Sequence, residues 1–188
     1  MRCFIAIDIT EEIKAQLADL QQELGGSVDI GRGDVKWVRP EAMHLTLKFL
    51  GEVRDADVVE ICRIVREAAG RHRAFDVAVK EVGHFGGRSA RVLWVGAGAE
   101  SEALLALQQD LEEQLAEAGW PKEARKFSAH LTLCRVRNTQ AGAKLAEITG
   151  QFKDFDLGAM RADSVLVYES KLTPQGPIYT CLGHYRLL

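Results

Sequence analysis

His44-Leu45-Thr46-Leu47 returns 86 residues further on as His130-Leu131-Thr132-Leu133. Alternation in each copy predicts a β-strand, where side chains two apart share a face. The leucines then enter a core while His and Thr stand together on the opposite side. A lone histidine in a strand is ordinarily structural. The matched pair, one copy in each half of the chain, points instead to acid–base chemistry around a small anion.

Outward from these strands, 188 residues of which 47% are hydrophobic suffice for one domain or two intimate lobes. A net charge of -3 argues against a bulk polyanion binder. The charge is unevenly spread, however. Lys122, Arg125, Lys126, Arg135 and Arg137 bracket the second motif with Glu123 as the one acid among them, whereas Glu100 to Glu117 holds acids and no base. The basic run is a candidate for phosphate contact. Cys3, Cys62, Cys134 and Cys181 show neither C-x-x-C nor finger spacing, so they are expected to be small core residues in a reducing compartment. The apolar stretch Cys3 to Ile7 is short for a signal peptide, and no run approaches membrane-spanning length. A cytoplasmic monomer without membrane association is expected.

Strands and helices alternate along the chain. Arg2 to Ile9 reads as a buried strand, and Thr10 with Glu11 and Glu12 as a helix start. Ile13, Leu17, Leu20 and Leu24 mark one face of that helix, and Gly25-Gly26 its end. Val35 to Val38 is a short strand, and Arg39-Pro40-Glu41 a turn into the first motif strand, Met43 to Leu50, ended by Gly51. Asp55 is placed to cap a second helix with a stripe of Val58, Cys62, Val65 and Ala69. Phe75 to Val82 and Arg91 to Val95 read as a hairpin around Gly86-Gly87. Leu104, Leu107, Leu111 and Leu115 define a third helix over 101–118, stopped by Gly119 and Pro121. The second motif strand, Phe127 to Val136, a helix over 140–149, and strands over Phe152 to Leu157, Arg161 to Tyr168 and Ile178 to Leu188 follow, the last after a Pro174 to Pro177 turn. The order strand, helix, strands recurs loosely in each half. This implies an α+β fold in which 1–188 form one bilobal domain with pseudo-duplicated halves, each giving one motif strand to a shared cleft.

Such a cleft suits phosphoryl displacement. One histidine takes a proton from the attacking group while the other gives a proton to the leaving oxygen, on opposite sides of phosphorus. Thr46 and Thr132 would donate to the non-bridging oxygens. The near symmetry leaves open which histidine is acid and which is base. Lys48, on the face of His44 and Thr46 by alternation, is a weaker phosphate candidate. Trp37, Phe85 and Tyr179 are available for base stacking. His72 is read as solvated, and His84 and His184 as structural. Two other readings remain: a nucleotide or RNA-end binding module without catalysis, and a metal-dependent hydrolase using His44 and His130 with His84 or His184. Against the latter, no carboxylate stands two to four residues from either motif histidine on its face.

The two His-x-Thr-x elements resemble the two-histidine phosphoesterase superfamily. Their surroundings, Trp37-Val38 before Met43 to Gly51 and Phe127 to Arg135, resemble its RNA 2′,3′-cyclic phosphodiesterase branch, also called bacterial and archaeal 2′-5′ RNA ligase. Arg2 to Ile7, Ser170-Lys171-Leu172, Gly176 and Tyr179 extend the resemblance nearly end to end, and Phe85-Gly86 departs from it where Phe-Pro would be expected. The resemblance implies two lobes with antiparallel sheets and outer helices around a central cleft. It implies opening of a 2′,3′-cyclic phosphate on RNA ends or nucleotides to a 2′-phosphate, with reversible 2′-5′ joining, no metal and no cofactor. It also implies a phosphate-contacting role for Arg135, which strict alternation would put on the leucine face unless the strand twists or ends near Cys134. By the same resemblance His44 gives the proton to the leaving O3′ and His130 activates water.

Overall fold

Five consecutive residues of the first strand, Cys3 to Ile7, are buried, as in a strand covered on both faces. The structure, a computed structural model, describes residues 1–174 and 176–188. Strand β1 spans Arg2–Asp8 and helix α1 Glu11–Ser27, where Thr10 Oγ1 accepts from the Ile13 amide and Ile13, Leu17, Leu20 and Leu24 are buried as the periodicity predicts. The helix runs through Gly25 and Gly26 instead of ending there. Gly25 lies against the Trp37 ring, where a Cβ would stand 3.5 Å away in ordinary contact.

Next come β2 (Val35–Trp37), a 3-10 turn (Pro40–Ala42) and β3 (His44–Glu52), which passes through Gly51 at a φ of 72°. Asp55 opens a 3-10 turn ahead of α2 (Val58–Ala69) and does not cap it. The buried face of α2 is Ile61, Ile64, Val65, Ala68 and Ala69, rotated from the predicted stripe, because Val58 and Cys62 lie at its margin. Strands β4 (Phe75–Phe85) and β5 (Val92–Ala97) precede α3 (Glu102–Glu117), in which Leu104, Leu107, Leu111 and Leu115 are fully buried while Leu105 is exposed. Then follow β6 (His130–Val136), α4 (Thr139–Thr149), β7 (Asp156–Ala162), β8 (Ser164–Thr173) and β9 (Gly176–Arg186). The stretch expected to pair as a strand from Phe152 begins in a 3-10 turn, so β7 and β8 start later than the pattern suggests. The Pro174 to Pro177 turn includes Gln175, which lies outside the described residues.

Two antiparallel sheets result, one ordered β3-β1-β8-β9 and the other β2-β6-β5-β4-β7. Each holds one motif strand, but neither is built from one half of the chain. β5, which follows the first motif, pairs with the second motif strand and carries β4 on its other side; β8 and β9, which follow the second, complete the sheet of the first. The halves thus exchange strands, and one apolar cluster containing Ile5, Leu45, Leu93 and Leu131 is continuous through both. Among the described residues no helix is long and apolar enough to cross a membrane. Of the cysteines, Cys3 and Cys134 are buried as expected, whereas Cys181 is exposed on β9.

Candidate active site

The two motif strands share a deviation from alternation. In β3, Ile5 and Ala6 of β1 face Lys48 and Thr46, leaving Leu47 as an extra residue. In β6, Leu93 and Trp94 of β5 face Cys134 and Thr132, leaving Leu133 extra. Each is a β-bulge at the same place, and a bulge puts two successive side chains on one side before alternation resumes. Leu47 and Lys48 are therefore both buried, as are Leu133 and Cys134, and the next residues, Phe49 and Arg135, are exposed.

This resolves Arg135 and overturns the reading of Lys48. The bulge returns Arg135 to the face of His130 and Thr132. It turns Lys48 away from His44 and Thr46 into the interior, where its Nζ donates to Glu112 Oε2 and to the Pro121 carbonyl, each at 2.9 Å. Lys48 is thus committed to a buried ion pair and is not a phosphate ligand.

The bulged carbonyls are satisfied crosswise. Gln21 Nε2 on α1 donates to Leu133 O at 2.9 Å and to Val38 O at 2.8 Å, and Gln108 Nε2 on α3 reaches Leu47 O at 3.4 Å. Each half's glutamine supports the other half's motif strand.

Both imidazoles are fixed in the same way. His44 Nδ1 lies 3.0 Å from Ala42 O and His130 Nδ1 lies 2.6 Å from Ser128 O, in each case two residues back. A carbonyl only accepts, so Nδ1 carries the hydrogen and Nε2 is left as the reactive nitrogen.

Around His44, Phe4 stacks at 4.5 Å and Tyr179 meets the ring edge-on at 5.2 Å. Tyr168 stacks on Phe4 at 5.4 Å and donates its hydroxyl to Asp8, which pairs with His44 across the strands. Around His130 stand Phe85, edge-on at 5.0 Å, and Trp94 at 6.3 Å. Trp94 lies over Gly83, where any Cβ would collide with the indole.

Burial pushes the His44 imidazole down to about 4; the Ala42 hydrogen bond and the nearby Asp8 carboxylate pull it back up without offsetting that. Burial also lowers His130, with the Ser128 hydrogen bond opposing and Arg135 adding to the fall. Both rings are thus neutral near pH 7, departing from the ordinary values near ~6.5 that the sequence implies. The charges beside them have opposite signs, acidic at His44 and basic at His130.

The two motif strands approach each other, and the cavity between them reaches Thr46 and His130, with the His44 ring behind its lining. Cα atoms of β3 and β6 come within 8 Å of each other. A cavity of about 630 Å³ is lined by Thr46 and Phe49 from one wall and by Phe85, Phe127 and His130 from the other. Tyr179 closes the remaining connection: it touches His44, while Arg135 from the opposite sheet and Arg2 both act on its phenol.

Thr46 and Thr132 are half-buried on the faces of their histidines. Of the stacking candidates, Phe85 and Tyr179 belong to the cleft, whereas Trp37 packs against α1. His84 is held between Thr149 Oγ1 and Gly87 O, and His72, read as solvated, bonds Asp110 at 2.9 Å. Among the described residues no three His, Cys, Asp or Glu side chains gather as a metal site would require.

Sequence reasoning passed over Phe4, Asp8, Phe49, Tyr168, Gln21 and Gln108. Of these, Phe49 had a visible signal, standing five residues after its histidine as Arg135 does.

Comparison with known proteins agrees with this geometry. A model of the LigT-like phosphoesterases matches residues 7–94 and again 95–179, one match for each motif. A Methanothermobacter thermautotrophicus protein named RNA 2′,3′-cyclic phosphodiesterase is 34% identical over 188 residues, covering 100% of this chain and 99% of that one. A protein of the same name from Thermotoga maritima is 36% identical over 185 residues, covering 97% and 93%. Among solved structures, E. coli LigT complexed with 3′-AMP superposes with a TM-score of 0.76 at 26% identity, covering 99% of this chain and 97% of that one. TT0787 of Thermus thermophilus gives 0.79 at 25%, covering 100% and 98%. With the family model matching both motif-bearing segments and full-length relatives above 30% identity, the chain belongs to the LigT-like phosphoesterases.

Proposed function

We propose that this protein is an RNA 2′,3′-cyclic phosphodiesterase that opens the terminal cyclic phosphate of an RNA end or nucleotide to a 2′-phosphate, with His44 and His130 as its acid–base pair. One observation carries the reading: two imidazoles on equivalent bulged strands, each tied at Nδ1 to the carbonyl two residues back, with Nε2 left to react.

Water attacks phosphorus as one Nε2 removes its proton. The bond from phosphorus to O3′ breaks, and the other Nε2, protonated, hands its proton to O3′. The charges beside the rings differ in sign. Asp8 pulls His44 toward the imidazolium an acid needs, against the larger effect of burial that holds the ring at about 4, and Arg135 pushes His130 toward the neutral ring a base needs; His44 therefore acts as the acid only once the substrate raises it. The substrate's own negative charge, entering between the rings, offsets the burial that depresses both. Thr46 and Thr132 donate to the non-bridging oxygens and Arg135 balances their charge. The chain's residues supply every proton transfer, and residues 1–188 act as one bilobal unit whose two histidines need no second copy.

Incubation with an oligoribonucleotide ending in a 2′,3′-cyclic phosphate, in the presence of a chelator, tests this. A 2′-phosphate product is expected. Binding without turnover would make the protein an RNA-end binding module, and turnover lost to the chelator would restore the metal-hydrolase reading.

A further inference from the structure

The cavity that contains Thr46 and His130 does not stop at them. It continues beneath the loop joining α3 to β6, where Lys122, Arg125 and Lys126 line it together with Phe127. We infer that this loop is a binding site for the RNA backbone 5′ of the cyclic phosphate, so that the protein distinguishes an oligonucleotide end from a mononucleotide. The inference rests on the cyclic phosphodiesterase reading and deepens it.

Three features converge. A volume of about 630 Å³ lies well within the range of roughly 300 to 1,000 Å³ that ligand sites occupy, leaving room beyond the reacting phosphate. The lining combines basic and aromatic side chains, Phe49 (63% exposed) and Phe85 (39% exposed) with Phe127, the pairing by which single strands are held through phosphates and base faces. No ion pair among the described residues engages Lys122, Arg125 or Lys126.

The acids that share the lining leave these cations in excess. Glu112 is neutralised by Lys48, so Glu113 and Glu123 oppose three positive charges.

The loop is also held in place. Lys48 Nζ donates to Pro121 O at 2.9 Å, and the Glu123 amide donates to Glu112 Oε2 at 3.1 Å. The ion pair behind the first motif strand therefore fixes the start of a loop whose other end becomes the second motif strand. Cations on a loop pinned at both ends are set for a ligand that leaves the cleft in their direction. They lose little entropy on binding it.

The experiment compares the intact protein with a Lys122→Gln, Arg125→Gln, Lys126→Gln triple variant on two substrates: a nucleoside 2′,3′-cyclic phosphate, and an oligoribonucleotide of eight residues ending in the same group. The variant is expected to keep its kcat/KM on the mononucleotide and to lose about tenfold or more on the oligonucleotide. Binding of the 2′-phosphate-ended oligonucleotide, read by fluorescence anisotropy, gives a second measure that needs no turnover. Each phosphate contact to a single strand contributes about -0.7 to the slope of log K against log salt, so the variant's slope should be shallower by about 2. Equal losses on both substrates, or an unchanged salt slope, would overturn the inference. If the wild type turns over neither substrate, the cyclic phosphodiesterase reading fails, and the anisotropy slopes alone decide whether the loop holds RNA backbone.

Discussion

Leu47 and Leu133 are the extra residues of two equivalent bulges, and each has its carbonyl held by a glutamine from a helix in the other half of the chain. Gln21 holds two carbonyls at 2.8 and 2.9 Å, whereas Gln108 holds Leu47 O at 3.4 Å. Removing the Gln21 amide takes the side-chain donor from Val38 O and one of two donors from Leu133 O, to which the Val38 amide still donates at 2.9 Å, and each buried acceptor that loses its partner costs about 1 to 3 kcal/mol. Gln21→Leu should therefore destabilise the protein more than Gln108→Leu. Denaturant unfolding of the two variants checks the order, and equal losses would mean that the bonds to Gln21 contribute nothing extra.

The pH dependence follows from burial. Catalysis needs one neutral and one protonated imidazole, and kcat/KM reports the free protein. In the free protein both groups titrate below their ordinary value, His44 at about 4. Activity rises as the lower group loses its proton and falls again as the higher one does. The bell in kcat/KM should thus have both limbs below about 6.5, where an unperturbed histidine would titrate. Saturating substrate should move the profile for kcat to higher pH, since the bound anion favours protonation. A kcat/KM optimum above that ordinary value would mean that burial does not govern these rings.

The roles of the two histidines separate on a substrate with an activated leaving group, which hardly needs an acid. Either histidine replaced by Ala should cost about 10² to 10⁴ in kcat on the natural cyclic phosphate. On the activated substrate His44→Ala should recover most of its rate, and His130→Ala should not. The reverse pattern would exchange acid and base.

Arg135→Lys keeps the charge but replaces a planar, two-pronged donor with a point charge. A loss of about tenfold or more in kcat/KM is expected, which corresponds to about 1.4 kcal/mol of transition-state stabilisation. A rate equal to wild type would return Arg135 to the solvent.

What could be read from the sequence was local. The Thr10 cap, the leucine stripe of α3 and the two motif strands declare themselves in neighbouring residues, although β3 runs on through Gly51 to Glu52 and β6 begins at His130 instead of Phe127. The bulges do not, because an extra residue exists only relative to the strand beside it. Carrying strict alternation through Leu47 sent Lys48 to the cleft, and the same step at Leu133 sent Arg135 to the core, so one hidden feature misplaced two side chains in opposite directions. The exchange of strands was equally hidden: which sheet β8 joins is decided by β1, more than 150 positions away in the chain. The depressed titration of His44 needed the rings of Phe4 and Tyr179 to be in place.

The exchange of strands also sets an order on synthesis. A chain that emerges from the ribosome one residue at a time has all of β2, β6, β5, β4 and β7 available once Ala162 is made, so that sheet can close early. The other sheet cannot. Its β1 and β3 are among the first segments to appear, yet β8 and β9 come last, and β1 lacks its second neighbour until they arrive. The ring that closes over His44 belongs to Tyr179 on β9, which follows every other strand of the two sheets. The first histidine thus waits, poorly covered, while the strands between β3 and β9 are made, and its surroundings are complete only once β9 has paired with β8.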